Sequence, residues 1–120
     1  MWNPGWAAPE AEFEAVAGSF DNPDWAEVTL HSYRSRWGHA PADPSCLALE
    51  ARLAADPVIR VPTLVLHGGG DACNGPETSE GRESLFGGPY RRVVLPGVGH
   101  FPQRQAAPAV LAEALPFLTG

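Results

Sequence analysis

Val58-Ile59-Arg60-Val61-Pro62-Thr63-Leu64-Val65-Leu66-His67-Gly68-Gly69-Gly70-Asp71 is the stretch on which the fold turns. Val58 to Leu66 is a short apolar run, rich in β-branched residues, bounded by Pro57 and three glycines. Its hydrophobicity is continuous rather than alternating, which predicts a strand buried on both faces, as in a parallel sheet covered by helices. Pro62 has no ladder donor and fits only near the beginning of such a strand. A second run, Arg91-Arg92-Val93-Val94-Leu95, predicts another strand and ends at Pro96-Gly97-Val98-Gly99-His100. Between the two, a polar segment over 77–83 leads to a short helix near Leu85 and Phe86, weakened by Gly81. Beyond them, Ala107, Val110, Leu111, Ala114, Leu115 and Leu118 form an apolar helical stripe, with Pro108 near its start and Pro116 expected to bend or end it. Strand, loop, helix, strand, loop, helix is α/β order.

Upstream the character differs. Phe13, Val16, Ala17 and Phe20 fall at helical spacing after an acidic first turn, Glu10 and Glu12, which suits the positive end of a helix dipole. Asn22-Pro23-Asp24 is a helix start signal, followed by the stripe Trp25, Val28, Thr29, Ser32, Tyr33, Trp37, with Gly38 as the stop. Asp43-Pro44 repeats the start signal before a third helix that ends ahead of Asp56-Pro57. The chain therefore divides into a helical, aromatic-rich segment over 1–56 and an α/β segment over 57–120.

Composition narrows the function. The 120 residues carry a formal net charge of −6, and all eight basic residues are arginine. An acidic chain with scattered arginines has no electrostatic footprint for nucleic acid or an anionic membrane surface. No apolar run approaches a membrane span, and the N-terminus shows neither the charged nor the apolar part of a signal peptide. Two cysteines, Cys46 and Cys73, make no disulfide framework, so a cytoplasmic setting is expected. Thirteen glycines and thirteen prolines without a period imply many turns.

Both strands are followed by glycine-rich turns that deliver a polar residue, Asp71 after the first and His100 after the second. In open α/β sheets ligands bind just outside the carboxyl ends of the strands. A carboxylate there that bonds one ring nitrogen of a histidine fixes its tautomer and stabilises the imidazolium formed when the other nitrogen takes a proton. His67 reads as a hydrogen-bonded residue at a strand end. A metal set from His67, Asp71, Cys73 and His100 has the ligand types but no recognised spacing. Cys73 has no activating base in sequence.

The segment from Val61 to Asp71, followed by Leu95-Pro96-Gly97-Val98-Gly99-His100-Phe101-Pro102, resembles the end of an α/β-hydrolase. That resemblance implies the fold of the C-terminal portion of the family: a helical cap segment, two parallel strands and a closing helix. It implies Asp71 as the triad acid and His100 as the general base, with Trp25, Tyr33 and Phe101 lining a substrate pocket. It implies hydrolysis of a small, fairly apolar ester or related molecule, and neither cofactor nor metal.

No Gly-x-Ser-x-Gly elbow occurs, and none of the serines sits in the strand-to-turn glycine setting that exposes a nucleophile. The nucleophile is left open among Ser, Asp and Cys, the aspartate variant of the family being the one that cleaves epoxide or carbon–halogen bonds. The expected partners are a small-molecule substrate and either a missing N-terminal half or a second copy held through uncovered strand faces. The alternative is a non-catalytic truncated relative or partner-docking module.

Overall fold

The computed structural model describes residues 2–120. Its elements are α1 (Glu10–Ala17), α2 (Trp25–Arg36), α3 (Leu47–Ala55), β1 (Thr63–Gly68), β2 (Tyr90–Leu95), α4 (Pro102–Gln105) and α5 (Ala107–Thr119). They form two compact units. One contains the segment up to Ala7 together with Val58–Gly120, and the other is Ala8–Pro57.

In the helical unit the stop signal of α2 acts as expected, whereas its start signal makes a turn over 22–25 and the helix begins at Trp25, not at Pro23. Asn22 Oδ1 accepts the backbone N–H of Asp24 at 3.0 Å just ahead of α2. At the other end, His39 N–H donates to Arg34 O at 2.7 Å and Gly38 N–H to Ser35 O at 3.0 Å, with Gly38 at φ +73°. This crossed pair satisfies carbonyls that the last turn would otherwise leave free. Asp43 Oδ1 accepts from both the N–H and the hydroxyl of Ser45 at 2.8 Å, opening the single 3₁₀ turn that precedes α3. These bonds hold the Asp43 carboxyl below its ordinary range.

In the other unit β1 and β2 pair in parallel, from Thr63 opposite Tyr90 to Gly68 opposite Leu95. The first strand begins five residues later than the apolar run. Pro62 interrupts the ladder, and upstream of it only Ile59 bridges, to Phe86. No regular helix joins the strands; two 3₁₀ turns, Pro76–Ser79 and Glu83–Leu85, flank Gly81 at φ +65°. Both α4 and α5 pack on β1. Pro116, expected to bend or end α5, does not end it: the helix runs on to Thr119. A proline there removes only one late donor, and Gly120 N–H closes the end onto Pro116 O at 3.0 Å.

The expectation of strands buried on both faces is corrected. The residues of β1 from Thr63 to His67 are half-buried, and Leu95 of β2, 8% exposed, is the only buried hydrophobic residue among those described. Ile59, Val61, Leu111 and Leu115 are exposed. Tyr90 stacks on Phe86 at 4.2 Å, with its hydroxyl buried and unpartnered among the described residues. No described helix is long and apolar enough to cross a membrane.

Candidate active site

The site forms where β1 and β2 end side by side. After β2, Leu95-Pro96-Gly97-Val98 makes a tight turn closed by Val98 N–H to Leu95 O at 3.3 Å. Gly97 has φ +70°, the value a proline–glycine turn needs at its third position and one that a side chain strains. After β1, Gly69 N–H donates to Leu95 O and Gly70 N–H to Val98 O, both at 2.8 Å, so the two loops are tied together. The approach leaves no room for a side chain at Gly68. A Cβ there would lie 2.9 Å from Gly99 C and closer still to the carbonyl oxygens of Val98 and Gly99.

This contact brings together two residues 29 positions apart. Asp71 Oδ2 lies 2.7 Å from His100 Nδ1. The other oxygen, Oδ1, accepts the backbone N–H groups of Cys73 at 2.8 Å and Asn74 at 3.0 Å. The Asp71 side chain is 6% exposed and that of His100 26%. Burial pushes the Asp71 carboxyl up, but the Asn74 N–H, the His100 ring and the Cys73 N–H outweigh it and hold the group below the ordinary carboxylate range. An ionised Asp71 accepts only, so His100 Nδ1 carries the shared proton and Nε2 keeps its lone pair. Nε2 has no hydrogen-bond partner among the described residues. The arrangement is that of a general base: Nε2 can take a proton while Asp71 stabilises the resulting imidazolium.

The histidine loop is held from three sides. Gln105 Oε1, on α4, accepts the N–H of Gly99 at 2.7 Å. Trp2 O accepts the N–H of His100 at 3.0 Å. Asn3 Oδ1, on a residue only 9% exposed, accepts the N–H of Phe101 at 3.0 Å. The Trp2 ring also meets His100 edge-on at 5.2 Å, and Phe101 meets it likewise at 5.1 Å. Sequence reasoning missed Trp2, Asn3 and Gln105. Pro102 at the first helical position after Phe101 was the available sign of α4.

Of the pocket residues expected from the resemblance, Phe101 stands against His100. Trp25 and Tyr33 lie on α2 in the other unit, where Trp25 packs edge-on against Phe20 at 4.8 Å and Tyr33 is half exposed. An open depression on α2 is lined by Asp24, Glu27, Val28, His31 and Ser32, none of which was expected to line a pocket. Cys73 is free and exposed. No group of three or more His, Cys, Asp or Glu among the described residues could hold a metal ion.

No protein-family model and no curated protein matches the chain. Among solved structures, the chain is similar to a putative epoxide hydrolase from Klebsiella pneumoniae subsp. pneumoniae MGH 78578, at 33% identity and a TM-score of 0.84. The fold is that of part of an α/β-hydrolase. The match covers 96% of this chain and 38% of the Klebsiella protein, so the chain spans well under half of that relative's length.

Proposed function

We propose that this chain supplies the acid and the general base of an α/β-hydrolase-type site, with Asp71 orienting His100 and His100 Nε2 moving the proton. One observation carries the reading: the buried carboxylate lies 2.7 Å from Nδ1 while Nε2 has no partner among the described residues. The substrate is a small, fairly apolar electrophile, admitted beside Phe101. The name of the Klebsiella protein makes an epoxide the first substrate class to test, and a carboxylic ester the second.

The nucleophile comes from outside these 120 residues. If it is a serine, His100 Nε2 removes its proton as the hydroxyl attacks an ester carbonyl, then returns that proton to the leaving alcohol. If it is an aspartate, the carboxylate attacks one epoxide carbon as that carbon's bond to the ring oxygen breaks, and the freed oxygen takes a proton from solvent, leaving a hydroxyalkyl ester. His100 Nε2 then takes a proton from the water that attacks this ester and gives it to the departing alkoxide, so the diol leaves and the nucleophile's carboxyl returns a proton to solvent. In both routes Asp71 stays ionised and the imidazole carries the proton only transiently.

The test combines this chain with the part of the Klebsiella protein outside the match, confirms that the two co-purify, and measures turnover of an aryl epoxide and of an activated ester. His100→Ala should abolish hydrolysis of whichever is turned over. With an aspartate nucleophile the variant should also accumulate the covalent ester, visible by mass spectrometry. Unchanged turnover in His100→Ala would refute the proposal. A second reading, a non-catalytic docking module, is favoured by the absence of a nucleophile elbow. It predicts tight association with no hydrolysis of either class.

A further inference from the structure

His67 has no part in these steps, yet both of its ring nitrogens are committed. Nδ1 lies 2.8 Å from Ser79 Oγ, and Nε2 lies 2.9 Å from the carbonyl oxygen of Asn74. A carbonyl only accepts, so Nε2 carries a proton. Ser79 Oγ accepts Arg92 Nε–H at 2.8 Å, and its single hydroxyl proton has two acceptors in reach, Pro76 O at 3.1 Å and His67 Nδ1. Pro76 O is already bonded by Arg92 Nη2. With a neutral ring, one arrangement satisfies every group: Arg92 donates to Ser79, Ser79 to His67 Nδ1, and His67 Nε2–H to Asn74 O.

The chain of bonds continues through Asn74. The N–H of that residue donates to Asp71 Oδ1 at 3.0 Å, so His67 and Asp71 grip the two backbone groups of one residue. His67 Nε2 also stands 3.8 Å from Asp71 Oδ2, the oxygen that His100 uses. An unanchored His67 could swing its proton onto Oδ2 and compete with His100. With side chains 13% and 6% exposed, His67 and Asp71 meet where little water can replace a lost bond.

We infer that His67 is a positioning residue for Asp71: anchored by Ser79 and Arg92 with its proton on Nε2, it fixes Asn74 and reserves Oδ2 for His100. The inference rests on reading Asp71 and His100 as the acid–base pair, but its test needs no turnover.

The test is ¹⁵N and ¹³C NMR of the 120-residue chain. In the native chain the His67 nitrogens should report a single tautomer protonated at Nε2, and the Asp71 carboxyl should titrate below the ordinary range. In His67→Phe the Asp71 midpoint should move up toward that range. The Asn74 N–H should exchange about five- to tenfold faster, the loss of about one hydrogen bond, while the Gly69 N–H, bonded to Leu95 O, keeps its protection. His67→Gln, which retains a donor and an acceptor, should restore part of both effects. Ser79→Ala should leave His67 as a mixture of tautomers. An unchanged Asp71 midpoint and Asn74 exchange in His67→Phe would overturn the inference, as would equal loss of protection at Gly69, which marks a merely structural staple. Should His67→Phe not fold, a single unchanged tautomer in Ser79→Ala would overturn it. Turnover independent of His100 would defeat the proposed function and leave these outcomes standing.

Discussion

Asp71→Asn separates the charge of the acid from its shape. The amide oxygen can still accept from Cys73 and Asn74, at 2.8 and 3.0 Å in the native chain. The amide nitrogen then faces His100 Nδ1, where a carboxylate oxygen stood at 2.7 Å. Two donors cannot share that contact, so His100 must place its proton on Nε2, and the lone pair that the proposed chemistry needs is lost. Two charge-assisted bonds become neutral ones and the third reverses direction, which together cost about 2 kcal/mol of stability at neutral pH. The activity cost of the wrong tautomer is far larger, about 10⁴-fold in the serine-protease example.

The stability cost has a definite pH dependence. Asp71 is held below its ordinary range in the folded chain. A depressed carboxylate contributes stability that is fully present above its unfolded value, about 3.9, and is lost as pH falls through the folded value. The difference between native chain and Asp71→Asn in urea unfolding should therefore be largest near pH 7 and shrink in acid. A difference that stays constant from pH 7 down to the acid limb would refute the assignment of these bonds to an ionised Asp71.

Two further substitutions test how the site is held. Gly68→Ala places a methyl group against the backbone of Val98 and Gly99, so the loops must part. Urea unfolding should show a loss of about 1–3 kcal/mol, and the His100 Nδ1 proton resonance should disappear; its persistence at native stability would mean that the close approach is not required. Asn3→Ala removes the acceptor for a part-buried Phe101 N–H and should cost about 1–2 kcal/mol, with faster amide exchange at Phe101. Unchanged exchange there would show that Asn3 does not hold the histidine loop.

The sequence made the site more legible than its surroundings. Asp71 and His100 could be found because each follows a strand through glycines, a local pattern whose spatial consequence is general to parallel sheets. The starts of α2 and α3 were readable for the same reason, since capping residues act on their own neighbours. Burial was not readable. Continuous apolar runs state what a strand would bury, but whether anything covers it depends on other segments, and β1 is only half-buried here. Pro62 was recognised as a start residue, yet the apolar residues before it still suggested a longer strand than Thr63–Gly68. Trp2 and Asn3 were invisible because Met-Trp-Asn-Pro-Gly-Trp looks like loop, and its bonds to His100 and Phe101 span nearly the whole chain. His67 was read correctly as a bonded strand-end residue. Its reach to Ser79 and Asn74 depends on the path of the loop between them.

The central claim is that His100 Nε2, oriented by Asp71, is the proton carrier of a hydrolytic site. It is tested most directly by the hydrolysis rate at saturating substrate and pH 7 for the assembled enzyme and its His100→Ala variant. The account predicts a loss of about 10²–10⁴-fold, the contribution of a positioned general base, with co-purification of the two parts unchanged. Equal rates in the two would contradict it.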